Sequence, residues 1–298
     1  MPIGKGGAMK VNKWFAMAYG IGLNLAWLTN AHAFFGFKDL AFNIKPMPYA
    51  GYIIPNSYFV PEKSKDQKNP AVIIVHPCGG LSVVSMTALV EWATVLVNAG
   101  YGVMVIDSLS DRIKNPRDNC WGMQRPVRQH RLVEDILDAA TALAQSPAVD
   151  ANRIFAVGFS LGAMSAGTAA RKLNKNKPEL RAVAGLYGGC FYESKKFGNE
   201  VWLDGSEDIP VLWLMGDEDL DTPPAKCMAP LERLKARIPE TEYHLYQGAT
   251  HGWDSKGMHG REMKTNHGPV QKYRYDPKIT ADSNTRVINF FNKFNQPK

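Results

Sequence analysis

The chain has 298 residues, 45% of them apolar, a formal charge of +7 and four cysteines. That apolar content, without a Pro/Gly/Ser-rich break, suits one large core and excludes two domains joined by a flexible linker. The basic excess is densest at Arg171, Lys172, Lys175 and Lys177, just before Pro178; no aromatic residues interleave there, so the stretch reads as a helix end rather than a nucleic-acid surface.

In chain order, the first segment reads as a leader. Lys5, Lys10 and Lys13 precede the apolar run 14–28, and Ala31-His32-Ala33 is a small-x-small cleavage site. Gly20, Gly22 and Asn24 interrupt a run already short of the about 20 residues that span a bilayer. The expected organisation is a signal peptide over residues 1–33, with Met9 as an alternative start, and one domain over 34–298, periplasmic or secreted and without a stable membrane span. Cleavage removes three lysines and no acid, leaving +4. Cys78, Cys120, Cys190 and Cys227 all remain, an even number in a compartment where disulfides persist, and sequence alone leaves three pairings open.

Beyond the leader, short β-branched runs alternate with longer helical patterns, which predicts a mostly parallel sheet with helices on both faces. Strands are predicted over 71–75, 101–106, 153–157, 181–186, 210–215 and 242–246. A helix is predicted over 87–98, closed by Ala99-Gly100; another over 131–144 sets Leu132, Ile136, Ala139, Ala140 and Leu143 on one face. A third, rich in small residues, spans 161–171. The polar, aperiodic segments 107–130 and 252–277 are expected as loops over one rim of the sheet.

Gly158-Phe159-Ser160-Leu161-Gly162 joins the strand at 153–157 directly to the third helix. A serine on so sharp a turn exposes its hydroxyl, and the helix N-terminus behind it favours developing negative charge. Such a nucleophile needs a base, and the base needs an acid to orient it, both downstream in this architecture. The strand at 210–215 runs into Gly216-Asp217-Glu218-Asp219-Leu220-Asp221, and the strand at 242–246 is followed by Thr250-His251-Gly252, so Ser160 and His251 are the expected nucleophile and base. Three aspartates compete for the acid. His251, His259 and His267 recur at eight-residue spacing, which matches no zinc pattern, so no metal or cofactor is expected. His76-Pro77-Cys78-Gly79-Gly80 follows the strand at 71–75; Cys78 and Leu161 are the expected backbone oxyanion donors, with Gly79 also at the substrate.

These motifs, in this order, resemble the dienelactone-hydrolase-like branch of the α/β hydrolases, from about Val72 to Phe294. The 76–80 run is similar to the family's His-Gly-Cys-Gly-Gly loop, with Pro77 in place of a glycine, and Asp107-Ser108-Leu109-Ser110-Asp111-Arg112 to its Asp-Ser-Phe-x-x-Arg turn. Gly216-Asp217-Glu218-Asp219 resembles its Gly-x-x-Asp acid loop, and His251-Gly252-Trp253-Asp254 the segment that carries its base. The resemblance implies Asp219 as the acid, an α/β-hydrolase fold and ester hydrolysis. It also implies a Cys190–Cys227 disulfide, with Cys78 and Cys120 as the other pair. Dienelactone hydrolase itself uses a cysteine nucleophile, whereas this chain has Ser160.

The insertion between 186 and 210 is short, so a small open pocket for short-acyl esters is expected, with Arg112 or Arg125 holding a carboxylate and Trp121, Phe191, Tyr192 or Trp253 shaping the pocket. The rival readings are a serine peptidase of the same fold, for which the chain lacks a large lid domain, and a non-catalytic binding protein. The expected partner is a small ester; the oligomeric state is open.

Overall fold

The computed structural model describes residues 45–46, 58–60, 68–120, 126–171, 180–192, 200–265 and 268–296. The proposed leader, Trp121, Arg125, Lys172, Lys175, Lys177 and His267 lie outside the described residues. The chain runs β1 (Lys45–Pro46), β2 (Tyr58–Val60), β3 (Asn69–Val75), α1 (Val83–Asn98), β4 (Gly102–Ile106), α2 (Gln129–Gln145), β5 (Val149–Phe159), α3 (Leu161–Ala169) and β6 (Ala182–Leu186). It continues through β7 (Phe191–Tyr192), β8 (Glu200–Val201), β9 (Val211–Gly216), α4 (Ala225–Arg237), β10 (Glu242–Tyr246), β11 (Glu262–Lys264), β12 (Val270–Lys272) and α5 (Pro277–Asn292).

Eight strands form one sheet in the order β1-β2-β4-β3-β5-β6-β9-β10. All neighbours are parallel except β2 with β4. Alternation along each strand feeds two cores. Ala71, Ile73 and Val75 of β3 pack with residues of α2, α3 and α4 on one face. Val72 and Ile74 pack with Leu89 and Trp92 of α1 and Phe290 and Phe291 of α5 on the other. Strands buried on both faces explain why the predicted runs are continuously apolar.

All six predicted strands are present, that over 242–246 with the predicted bounds and the others with one or both ends shifted. The largest shift is in β5, which begins at Val149 because Asn69 of β3 pairs there before the register breaks. Helix α1 starts at Val83 rather than 87, its first turn being the β-branched Val83-Val84 pair that sequence propensity disfavours. Ser85 secures that turn by donating from Oγ to the Gly80 carbonyl at 2.5 Å. Neither expected loop is wholly irregular. Segment 107–130 contains a 3-10 turn at Pro116–Cys120 and the start of α2, and 252–277 contains a 3-10 turn at Lys256–Met258 and the antiparallel pair β11 and β12.

Candidate active site

Ser160 sits between β5 and α3 with φ 53° and ψ −114°, a strained conformation for a residue with a side chain. The turn is tight enough that its glycines are steric requirements. A Cβ on Gly158 would lie 2.1 Å from the Gly162 carbonyl, and one on Gly162 would lie 2.2 Å from the carbonyl of Val75. Ser160 N–H donates to Leu186 O of β6 at 3.0 Å, which fixes the turn to the sheet.

Two later loops converge on the serine from the carboxyl ends of β9 and β10. His251 Nε2 lies 2.9 Å from Ser160 Oγ, and His251 Nδ1 lies 2.8 Å from Asp219 Oδ2. With Nδ1–H donated to the carboxylate, Nε2 is left to accept the serine proton. Burial disfavours a charged ring here. The charge and hydrogen bond of Asp219, followed by Asp221 and Asp254, nevertheless hold the imidazole above its ordinary pKa range.

The three competing aspartates have separate partners. Asp217 accepts from Gly248 N–H at 2.6 Å and ties the two loops together, while Asp221 accepts from Tyr273 Oη. Asp219 alone meets the histidine. Thr222, which sequence reasoning missed, holds it there: its N–H donates to Asp219 Oδ1 at 2.8 Å, and its hydroxyl lies 2.8 Å from Oδ2 and 3.0 Å from the Tyr187 carbonyl.

On the other side of Ser160, His76 is fully buried, and burial pushes its pKa down, so it is a neutral structural ring. Ser108 N–H donates to its Nε2 at 3.1 Å, so Nδ1 carries the proton and donates to Pro77 O at 2.8 Å. Gly80 N–H donates to the same carbonyl at 3.0 Å. The peptide is planar, so fixing Pro77 C=O also fixes Cys78 N–H on the opposite edge. The N–H groups of Cys78 and Leu161 make no backbone hydrogen bond among the described residues, and both residues line the cleft at Ser160.

Comparison with known proteins agrees with this architecture. Residues 57–295 match the dienelactone hydrolase family. The chain belongs to that family. A Bradyrhizobium protein named as a probable 2-oxo-3-(5-oxofuran-2-ylidene)propanoate lactonase is 28% identical over 193 residues, covering 62% of this chain and 73% of its own. Among solved structures, a thermophilic esterase from Thermogutta terrifontis with propionate bound has a TM-score of 0.57 at 15% identity, covering 81% of this chain and 90% of that one. A dienelactone hydrolase-like promiscuous phosphotriesterase from metagenomic libraries has a TM-score of 0.55 at 19% identity, covering 76% and 87%. These likenesses establish the α/β-hydrolase fold, and the family establishes a hydrolase.

Within this family member the cleft at Ser160 measures about 400 Å³. Gly79, Phe191 and Tyr192 line it, as do Met164 and Trp202. Two expected pocket residues are placed elsewhere. Arg112 is bidentate to Asp135 of α2, at 2.6 and 3.0 Å, and donates to Ser108 O at 2.7 Å, a geometric match that turns its guanidinium away from the cleft. Trp253 is fully buried in the core between Tyr187 and Tyr246, and its Nε1 donates to Ser283 Oγ at 3.0 Å. Disulfides join Cys78 to Cys120 and Cys190 to Cys227, and each brings a basic residue to the cleft, Arg117 beside Cys120 and Lys226 next to Cys227. Arg261 and Lys264, at the β11 strand, line it from a third side. No helix among the described residues is long and apolar enough to cross a membrane.

Proposed function

We propose that this protein is a serine carboxylic ester hydrolase acting on small or short-acyl esters and lactones that carry an anionic group. The reading rests above all on the continuous chain from Ser160 Oγ through the His251 ring to Asp219, with links of 2.9 and 2.8 Å. Ser160 attacks the carbonyl carbon while His251 Nε2 takes its proton, and Asp219 stabilises the resulting imidazolium. Cys78 and Leu161 N–H groups hold the oxyanion, an interaction realised most strongly in the transition state. The imidazolium then protonates the departing alkoxide, leaving an acyl group on Ser160. A water molecule, deprotonated by His251, attacks that acyl-enzyme and restores the serine.

The cleft is large enough for a small ester, and the preference for short acyl groups rests on the short insertion between 186 and 210. Its charge supports an anionic substituent. Among the described residues, Arg117, Lys226, Arg261 and Lys264 line the cleft without an ion-pair partner, whereas the one acidic side chain lining it, Asp221, is engaged by Tyr273. The Bradyrhizobium relative is named for a lactone of a propanoate, which is anionic chemistry of this kind. The proposed leader over 1–33 and the two disulfides support an exported mature chain over 34–298. Paired assays with nitrophenyl acetate, butyrate and palmitate, and with a succinate half-ester against its neutral methyl ester, test the reading. Faster turnover of palmitate, or no preference for the anionic ester, would remove the corresponding part.

A further inference from the structure

Four acidic side chains among the described residues are almost wholly buried: Asp135, Glu207, Asp219 and Asp254. Three have a basic side chain as partner, since Asp135 meets Arg112, Glu207 meets Arg171 and Asp219 meets His251. Asp254 has none among the described residues. Its Oδ2 accepts from Trp92 Nε1 at 2.7 Å and its Oδ1 from Tyr187 Oη at 2.8 Å, both neutral donors. A buried carboxylate without a counter-charge is costly: burial raises the Asp254 pKa above the ordinary carboxylate value, while the Trp92 and Tyr187 hydrogen bonds and a charge on His251 favour its ionised form.

The group available is His251, three residues earlier. Tyr187 links the two. Its ring stands edge-on to the imidazole with centroids 4.9 Å apart, and its backbone lies in the left-handed region at φ 41°. A bulky residue held there needs restraint at more than one point. Asp254 holds the phenol end, Tyr187 N–H donates to Leu214 O at 2.9 Å, and Thr222 Oγ1 lies 3.0 Å from the Tyr187 carbonyl while also meeting Asp219. One connected set of bonds therefore runs from Asp254 to the acid that orients His251.

We propose that Asp254 is a positioning residue for the hydrolytic reaction, a second buried carboxylate that fixes Tyr187 and Thr222 behind the His251–Asp219 pair and favours the imidazolium formed when Ser160 gives up its proton. It touches neither substrate nor the reacting atoms. The other groups facing His251 are Asp219 and Asp221 from the β9–α4 loop, Ser160, and Tyr273, whose ring lies 6.1 Å away; those facing Asp254 are Trp92 and Tyr187. The inference rests on the hydrolase reading.

The test uses Asp254→Asn in the full mature chain. The amide preserves shape and one oxygen acceptor but removes the charge. KM for a short nitrophenyl ester should stay within about twofold, kcat should fall about tenfold, and the acidic limb of the kcat/KM profile should move to lower pH. A merely structural role would lower the melting temperature and leave that limb in place. Tyr187→Phe keeps the ring against His251 but removes the phenol donor, so Asp254 binds a proton more readily and the limb should shift in the same direction. If Asp254→Asn does not fold, Tyr187→Phe decides alone. An unmoved acidic limb in every variant that folds overturns the inference. A wild-type protein that hydrolyses no ester and takes no fluorophosphonate label instead overturns the hydrolase reading, and the inference with it.

Discussion

The two disulfides should be separable by function although they are nearly equal in stability. Cys78–Cys120 spans 42 residues and Cys190–Cys227 spans 37, so the chain-entropy argument assigns each about 4 kcal/mol. Replacing either pair with serines should lower the melting temperature by about 10 °C in a domain of this size. Activity should divide them. Cys78 carries a proposed oxyanion donor, and complete loss of such a donor costs about 10²–10³ in kcat. Here the N–H remains, and His76 and Gly80 still hold Pro77 O, so removing the Cys78–Cys120 bridge should lower kcat by only about tenfold, or about 1.4 kcal/mol. Cys190–Cys227 instead supports Phe191 and Lys226 on the cleft wall, and its loss should raise KM with kcat near wild type. Thermal melts followed by ester kinetics, well below both transitions, decide the matter. Equal loss of kcat in both double variants would mean that the bridges act through general stability alone, and the oxyanion-loop argument would fail.

Gly162→Ala places a Cβ 2.2 Å from the Val75 carbonyl; it should destabilise the protein by about 2–4 kcal/mol in urea titration and reduce kcat more than about 100-fold. His251 is held above the ordinary imidazole range, so kcat/KM should rise with pH along a limb lying above 6.5; Asp219→Asn should move that limb down and cut kcat by up to about 10⁴-fold, while Asp217→Asn and Asp221→Asn should not do both. The buried His76 is held below 6.5 in the fold. Its contribution is therefore present above pH 6.5 and lost as pH falls below it, whereas that of the His251–Asp219 pair is present below 6.5 and lost as pH rises through the raised value. Urea midpoints across pH 5 to 8 for wild type and His76→Asn should differ in slope on the acidic side, and parallel curves would contradict this.

Sequence made the central strands legible because each is buried on both faces and shows as an unbroken apolar run. The elbow was legible for a steric reason: a Cβ on Gly158 would meet the Gly162 carbonyl within the turn itself, and one on Gly162 would meet Val75 of the neighbouring strand. Asp219 needed the family resemblance, since Asp217 and Asp221 are chemically identical and only the fold shows that Gly248 and Tyr273 occupy them. Thr222 had a usable signal, as aspartate side chains in turns commonly accept a backbone N–H from just downstream. Arg112 and Trp253 were misplaced because their partners, Asp135 and Ser283, lie 23 and 30 residues away on helices. The β11–β12 pair escaped detection because Glu-Met-Lys and Val-Gln-Lys are too short and polar for alternation to register. The basic rim is drawn from three separate segments, so no local charge run announced it.

The central claim is that Ser160 is the nucleophile. The most direct test treats the mature protein with a fluorophosphonate probe, maps the adduct by mass spectrometry and assays Ser160→Ala on nitrophenyl butyrate. The account predicts one adduct on Ser160 and a variant that folds as wild type but retains less than about a thousandth of the activity. An adduct on another residue, or a Ser160→Ala protein that still turns over the ester at more than that rate, would contradict it.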